Sequence, residues 1–554
     1  MVLTALCTLR DGIKGGIDDV CEGQPAWKIV LVTAGGTVTL LALKNLLFQD
    51  ESLYKRSKNS VFRLLRKVPA IRRKIETELE KINAMMLKEM NDNVENSEYI
   101  MQLPEKGWDQ ERILKETERY CSYGKCDWSA GYASGTVYNG SPELTELMTR
   151  VYEMSAWTNP LHPDVFPGIR KMEAEVVRMC CNMFNGGPES CGTMTTGGTE
   201  SIVMACKAYR DYAVKVRHIS KPEMVVPITA HAAFDKGAQL LNIRLRHVPV
   251  DPVSKKVDIR AMRSMITRNT CMLVGSTPHF PHGVIDPIEE ISALGVRYGI
   301  PVHVDACLGG FLIPFMEEAG YPLPLFDFRL PGVCSVSCDT HKYGFAPKGS
   351  SVVLYKNKEY RHHQFFAEPN WPGGIYTTPT ISGSRSGGII AACWAAMMYY
   401  GRDGYISTTK AIIETARKIE QGCRDIPNIT IVGKPDVSVV AISSDRFNIY
   451  TLSDGMGKKG WNLNALQFPP CIHIAVTVPH TKPGVAERFI KDVSDLAAEL
   501  SQLPRTDSEG SAALYGMAQS LPDRSIVEDI ACVYLDASYD TSYTKKPQDN
   551  GVKV

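Results

Sequence analysis

The sequence predicts an α/β protein with three parts: a large domain on a mainly parallel sheet covered by helices, a smaller C-terminal α+β domain, and an N-terminal transmembrane helix. Three observations predict it. From about residue 200 to 340, short apolar runs alternate with helical stretches, the pattern of a parallel sheet buried on both faces. The chain has 554 residues, more than one compact core organises. Near its start lies an apolar run of about 20 residues, enough to cross a hydrocarbon core as a helix.

Ile29 to Leu43 is uncharged and mostly apolar, and Leu46, Leu47 and Phe48 extend it past Lys44 and Asn45. The transmembrane helix is therefore placed at 28–48, with Lys44 able to snorkel at one end and Trp27 and Lys28 at the other interface. Gly35-Gly36 and the threonines at 33, 37 and 39 dilute its apolarity. A cleaved signal peptide fits less well, because Arg10 and Lys14 face Asp11, Asp18, Asp19 and Glu22. After the run come Lys55, Arg56, Lys58, Arg63, Arg66, Lys67, Arg72, Arg73 and Lys74 with no acid among them. By the positive-inside rule that flank is cytosolic and residues 1–27 are lumenal.

From about 70 to 125 the pattern is charged and helical. Gly131 to Tyr138 reads as a loop. Ile169, Met172, Val176, Met179, Cys180 and Met183 fall at helical spacing. Helices are read at Glu200 to Tyr212 and Ile288 to Tyr298. Buried strands are read at Met224 to Ile228, Cys271 to Ser276, Val302 to Asp305 and Val333 to Ser337. A second α+β unit runs from about 396 to 505, and a polar tail follows. Sheets of this kind bind ligands beyond the carboxyl ends of their strands.

Bulk properties exclude some functions. A net charge of +1 gives no field for nucleic acid, and no basic patch with interleaved aromatics occurs. The 16 cysteines contain no C-x-x-C pair, so they read as buried reduced thiols rather than a metal site.

The chemistry lies at the strand ends. Thr195-Thr196-Gly197-Gly198-Thr199-Glu200-Ser201 opens a helix, where glycines let free backbone amides approach an anion. Val302-His303-Val304-Asp305-Ala306 ends a strand on a carboxylate that could pair with a pyridinium nitrogen. Ser337-Cys338-Asp339-Thr340-His341-Lys342-Tyr343 ends another on a lysine, which becomes a nucleophilic amine if desolvated. His231, just after a strand, could stack on a flat ring. Alone, each pattern is an ordinary cap, turn or surface charge. In chain order they supply what pyridoxal phosphate (PLP) needs: groups for its phosphate, ring face, ring nitrogen and aldehyde.

At these residues the chain resembles the PLP fold-type I enzymes of the group II decarboxylase branch, and within it the sphingosine-1-phosphate lyase family. The resemblance covers roughly residues 125–500 and the N-terminal anchor. Besides the motifs above it is carried by Asn159-Pro160-Leu161-His162-Pro163-Asp164-Val165-Phe166-Pro167-Gly168 and Gly373-Gly374-Ile375-Tyr376. It implies residues 49–145 as a linker and dimerisation segment, 146–395 as the large PLP-binding domain, 396–505 as the small domain and 506–554 as the tail. It implies that Lys342 bonds the cofactor aldehyde and that Gly198, Thr199 and His341 hold its phosphate. Tyr138, Asn159, His162, Lys348 and Tyr376 match substrate-facing positions. Ser382 to Arg385 matches an interface stretch reaching a partner's site.

The implied protein is a homodimer in the endoplasmic reticulum membrane with its catalytic body in the cytosol. The implied reaction is retro-aldol cleavage of a sphingoid base 1-phosphate to a fatty aldehyde and phosphoethanolamine. Lys348, His162 and Arg385 are candidate cations for the substrate phosphate. Tyr138, Lys342 and His162 are candidate bases. The alternative is an amino-acid decarboxylase on the same fold.

Overall fold

A computed structural model of the chain describes residues 23–47, 57, 61, 64, 66–94, 97–503 and 524–542. Most of the expected lumenal segment, Phe48 and the basic residues from Lys55 to Arg63 lie outside the described residues. The chain divides into two compact units, Met1–Asp92 with Leu521–Val554, and Asn93–Ser520.

In the first unit Ala26–Leu47 forms one helix of 22 residues. Among the described residues, however, no helix is long and apolar enough to cross a membrane. The transmembrane expectation is therefore not shown, and composition is the reason. The glycines add no apolar surface, and the hydroxyls of Thr37 and Thr39 donate to the carbonyls of Thr33 and Gly35, at 2.8 Å each. Those bonds satisfy the hydroxyls without making the helix apolar. A second helix, Pro69–Asn93, begins at a proline whose missing N–H costs nothing there. The tail read as simply polar contains a helix, Arg524–Tyr539. Arg66 donates to Ser525 Oγ at 2.6 Å and pairs with Asp529 of that helix.

The second unit holds β1 (Cys191–Thr195), β2 (Glu223–Pro227), β3 (Arg244–Val248), β4 (Thr270–Ser276), β5 (Val302–Asp305), β6 (Val333–Cys338) and β7 (Ser351–Tyr355) in one sheet. Their order is β1-β7-β6-β5-β4-β2-β3. All run parallel except β7, which lies antiparallel between β1 and β6. Six of the seven strands are buried throughout, the exception being the edge strand β3. Helices Gly198–Lys215 and Ile288–Tyr298 cover the sheet. A hairpin of β8 (Phe366–Glu368) and β9 (Tyr376–Thr378) follows. Then β10 (Thr430–Ile431), β11 (Val439–Ser443), β12 (Asn464–Leu466) and β13 (Cys471–Ala475) form an antiparallel sheet.

One helix, Gly387–Arg424, links the two sheets and departs from helical geometry at Gly401. The division read at 395/396 falls inside it. A continuous apolar core joins the sheets, with Leu273, Val304 and Val352 from the large one and Ile442, Ile472 and Ile474 from the small one.

Candidate active site

Because β1, β2, β5 and β6 are parallel, their carboxyl ends open on one edge. That edge carries Thr196–Thr199 after β1, His231 after β2, Asp305 at the end of β5 and Asp339–Lys342 after β6. Gly198, Thr199, His231, His341 and Lys342 line one cavity of about 380 Å³, together with Thr196, Glu200, Cys307 and Asp339.

Lys342 is mostly buried, and its Nζ lies 2.9 Å from Asp339 Oδ2. Burial works against its charge, but the Asp339 carboxylate, Tyr138 and Cys307 outweigh burial and hold the ammonium above the ordinary lysine value. The lysine is fixed by its surroundings. Its own N–H donates to the Asp339 carbonyl at 3.2 Å, closing a turn that puts both side chains together. Next to it, Tyr343 Oη donates to the Val476 carbonyl at 2.8 Å and meets Ser438 Oγ at 2.7 Å, tying the turn to the small sheet.

The glycine-rich start of helix Gly198–Lys215 has no side-chain cap. Glu200 folds back to accept from the backbone N–H and the hydroxyl of Thr196, both at 2.7 Å, and from Ile381 N at 3.2 Å. These bonds shape the loop, and Gly198, Thr199 and Glu200 of the first turn line the cavity. His341 Nδ1 is buried without a hydrogen-bond partner. Burial, with the nearby Lys348 and Lys342 charges, holds its imidazole below the ordinary histidine value against the pull of Asp339. His231 accepts from Ala233 N at Nδ1, 3.1 Å away.

Asp305 Oδ1 accepts from Cys307 N at 3.0 Å and from Ser337 Oγ at 3.3 Å, and Oδ2 takes neither. Tyr138 is buried, its ring 4.8 Å from that of Tyr343, and burial pushes its phenol up to about 12. The Lys348 ammonium sits 4.8 Å over the Tyr138 ring. Partial burial and the Lys342 charge keep it below the ordinary lysine value.

Asp305, Tyr138 and Lys348 do not line this cavity, and neither do the remaining sequence-predicted residues. Asn159 holds the 384–385 segment, its Nδ2 donating to Ser384 Oγ at 3.0 Å and its Oδ1 accepting from Arg385 N at 3.2 Å. His162 N–H donates to the Asn159 carbonyl at 3.1 Å, so it belongs to the same cluster. Arg385 corrects the expectation of a free cation for phosphate. Its guanidinium forks onto the Glu173 carboxylate, Nη2 to Oε2 at 3.0 Å with a second contact from Nη1. Tyr376 lies in the β8–β9 hairpin against Trp371, ring centroids 5.8 Å apart. Sequence reasoning gave no role to Asp339 or Glu200. The signals available were the i, i+3 spacing of Asp339 to Lys342 and the acid in the first turn of a phosphate-type helix.

The residues present suit PLP: an amine on a short tether, an uncapped helix start, an unpartnered imidazole nitrogen and a strand-end carboxylate. The known proteins agree. Residues 96–444 match the family described as pyridoxal-dependent decarboxylase conserved domain. The sphingosine-1-phosphate lyase of Drosophila melanogaster is 52% identical over 533 residues, covering 96% of this chain and 98% of that protein. Sphingosine-1-phosphate lyase 1 of Rattus norvegicus is 50% identical, covering 97% and 94%. A solved sphingosine-1-phosphate lyase of Burkholderia pseudomallei K96243 is 42% identical with a TM-score of 0.71, covering 73% of this chain and 94% of that one.

Fold and site together define a PLP-dependent enzyme of the group II decarboxylase branch. Within that branch the chain belongs to the sphingosine-1-phosphate lyase family.

Proposed function

We propose that this chain cleaves sphingoid base 1-phosphates, including those of sphingosine and sphinganine, to a long-chain aldehyde and phosphoethanolamine. The observation that carries the reading is the cavity around Lys342 in a chain about half identical, nearly end to end, to proteins named for that cleavage. Amino-acid decarboxylation is the less specific reading, since it rests on the shared domain alone.

Lys342 would bond the cofactor aldehyde. Gly198, Thr199 and His341 would hold its phosphate, His231 its ring face and Asp305 its ring nitrogen. When bound, the cofactor supplies an electron sink for the pair released as the carbon–carbon bond beside the amine breaks. The protein's own part is proton handling and placement. Tyr138, kept protonated by burial, holds a proton beside Lys342 rather than acting as a ready base. Asp339 offers the released Lys342 amine a charge partner. Lys348, above the Tyr138 ring, is the cation placed for a substrate phosphate.

Asn159, His162 and Tyr376 do not line this cavity and act in substrate binding from a second copy of the chain in a homodimer, while Arg385 stays paired with Glu173. Trp157, Ile375 and Ile381, each well over half exposed in the single chain, support such a contact. The helix Ala26–Leu47, with Val30, Leu31, Val32, Val38 and Leu40 exposed, attaches the enzyme to the endoplasmic reticulum membrane with its body in the cytosol. Recovery of full-length protein in the soluble fraction of gently lysed cells, with none in the membrane pellet, would sink that attachment. Sedimentation as a monomer would sink the dimer.

The deciding assay incubates PLP-loaded protein with sphinganine 1-phosphate and measures both products by mass spectrometry. Aldehyde and phosphoethanolamine in equal amounts are expected from the wild type, and neither from Lys342→Ala, which should also lose the cofactor's visible band. Carbon dioxide release from an amino acid, without aldehyde, would overturn the reading.

A further inference from the structure

A line of buried polar side chains runs from β6 through β5 to Asp305. His303 precedes Asp305 by two residues on β5 and points to the same face. Its Nε2 lies 3.1 Å from Ser337 Oγ and its Nδ1 2.7 Å from Ser335 Oγ, both on the neighbouring strand β6. Ser337 Oγ continues to Asp305 Oδ1 at 3.3 Å. His303, Ser335 and Ser337 are completely buried. The register makes this possible, since His303 pairs with Ser335 and Asp305 with Ser337 across parallel strands.

Counting hydrogens fixes the direction of the line. A carboxylate oxygen only accepts, so the single Ser337 hydroxyl hydrogen goes to Asp305 Oδ1. Ser337 Oγ must then accept from His303, which places the imidazole hydrogen on Nε2. Nδ1 is left as an acceptor and takes the Ser335 hydroxyl hydrogen. A neutral imidazole fits this assignment, and burial indeed pushes His303 down to about 4. The Phe234 ring stands edge-on 5.9 Å away and closes the apolar side. A histidine in the middle of a sheet strand whose neighbours are Val302 and Val304 has no packing reason to be polar. Its two serine partners make sense if the line ends in work at Asp305.

We infer that His303, acting through Ser337, is a positioning residue for Asp305. The relay Ser335–His303–Ser337 directs a hydrogen bond at one carboxylate oxygen, fixes the side-chain rotamer, and leaves the other oxygen aimed for the ring nitrogen of the cofactor. This rests on the reading of the cavity as a PLP site with Asp305 at that nitrogen. It assigns β6 a second duty: the strand that delivers Lys342 to the aldehyde also orients the group serving the opposite end of the ring.

The test compares Ser337→Ala, Ser337→Thr and His303→Leu with the wild type, all as PLP-loaded full-length protein. Thermal unfolding, cofactor content, the visible band against pH, and kcat and KM for sphinganine 1-phosphate are measured. Ser337→Ala removes one oxygen atom from a strand, and Ser337→Thr keeps the hydroxyl. The relay predicts that Ser337→Ala and His303→Leu keep bound cofactor but move the pH at which its band converts. Both lower kcat on the order of 10- to 100-fold, by analogy with the loss of a partner that orients a metal ligand, with little change in KM. Ser337→Thr restores both.

An unchanged band and kcat in folded Ser337→Ala overturns the relay. So does a Ser337→Thr variant that behaves like Ser337→Ala. If His303→Leu fails to fold, the serine pair decides alone. A wild type that binds no PLP overturns the relay together with the cofactor reading. A wild type that binds PLP but cleaves nothing sinks only the substrate reading, and the band still decides the relay.

Discussion

Gly198 occupies the one position in the cavity wall where even a methyl group has no room. A Cβ there would lie 2.7 and 2.8 Å from the two Asp339 carboxylate oxygens and 3.0 Å from Cys307 Sγ. Gly198→Ala should therefore push Asp339 away from Lys342, at roughly 1–3 kcal/mol of overpacking. The reading is PLP uptake weakened about ten- to hundredfold, followed by titration of the visible band; unaltered uptake would refute the crowding. Asp339 has its own signature. Removing its charge in Asp339→Asn lets the Lys342 ammonium release its proton at lower pH. A larger neutral fraction then meets the aldehyde at pH 7–8. Cofactor uptake by the variant should be faster there, and its pH profile displaced downward, when the band is followed after rapid mixing. A slower uptake with the same profile would show that Asp339 serves the fold rather than the amine. The placement of Asp305 at the end of β5 and of Lys342 just beyond β6 was legible in the sequence because each follows an apolar run. Asp339 was not, because a carboxylate three residues before a lysine is common and only the turn brings the two together.

The helix Gly387–Arg424 gives the clearest case at the scale of elements. Its first part packs on the helices Pro142–Ser155 and Pro167–Met183, and its second on Val485–Gln502 and the small sheet. The change of direction falls on Gly401, with φ 55° and ψ −171°, a conformation closed to other residues. A Cβ there meets nothing within 4 Å, so Gly401→Ala isolates backbone strain from packing. A loss of about 1–3 kcal/mol in urea unfolding is expected, and a neutral result would mean that the kink adapts.

Strands with apolar runs were readable to within a residue or two, as at Val302–Asp305 and Val333–Cys338. β3 was not, because Arg-Leu-Arg-His-Val is an edge strand whose arginines serve the buried Glu223 of β2, Arg246 Nε to Oε2 at 2.9 Å. Charges of that kind also discourage pairing with another sheet. β7 has an apolar run as plain as that of β5, but nothing in the run specifies that it lies antiparallel between β1 and β6. The apolar N-terminal run was legible as a helix. Whether a helix crosses a membrane depends on summed apolarity, which Gly35, Gly36 and the threonines reduce.

For the molecule as a whole, acid should be destabilising. His279, His473 and His480 are pushed down to about 4, each by burial, and His282 to about 3 by burial and the neighbouring His279. Depressed histidines favour the fold fully above about pH 6.5, their unfolded value. That contribution is lost as pH falls toward 4, because the unfolded chain takes protons the native one refuses. Each histidine adds up to about 1.4 kcal/mol per pH unit over that range. Asp286, pushed up to about 6 by burial, works the other way and offsets part of the loss. Unfolding free energy measured in urea should fall by more than roughly 3 kcal/mol between pH 6.5 and 4.5, and a flat profile would contradict the assignment. These histidines lie on the loop after β4, on β13 and just beyond it, so the small sheet should loosen first.

The antiparallel placement of β7 also bears on how the chain is made. β1 pairs with β7 from Cys191–Tyr355 to Thr195–Ser351 and, among the described residues, with no other strand. On the ribosome, β1 therefore emerges long before any neighbour exists for its backbone amides and carbonyls. At about 5–20 residues per second, the wait lasts on the order of ten seconds or more. Throughout it the strand beside the phosphate-type loop is an open template for foreign strands. The nascent lyase should thus depend on chaperone cover until residue 355 has left the tunnel, and truncations ending before β7 should aggregate where those ending after it do not.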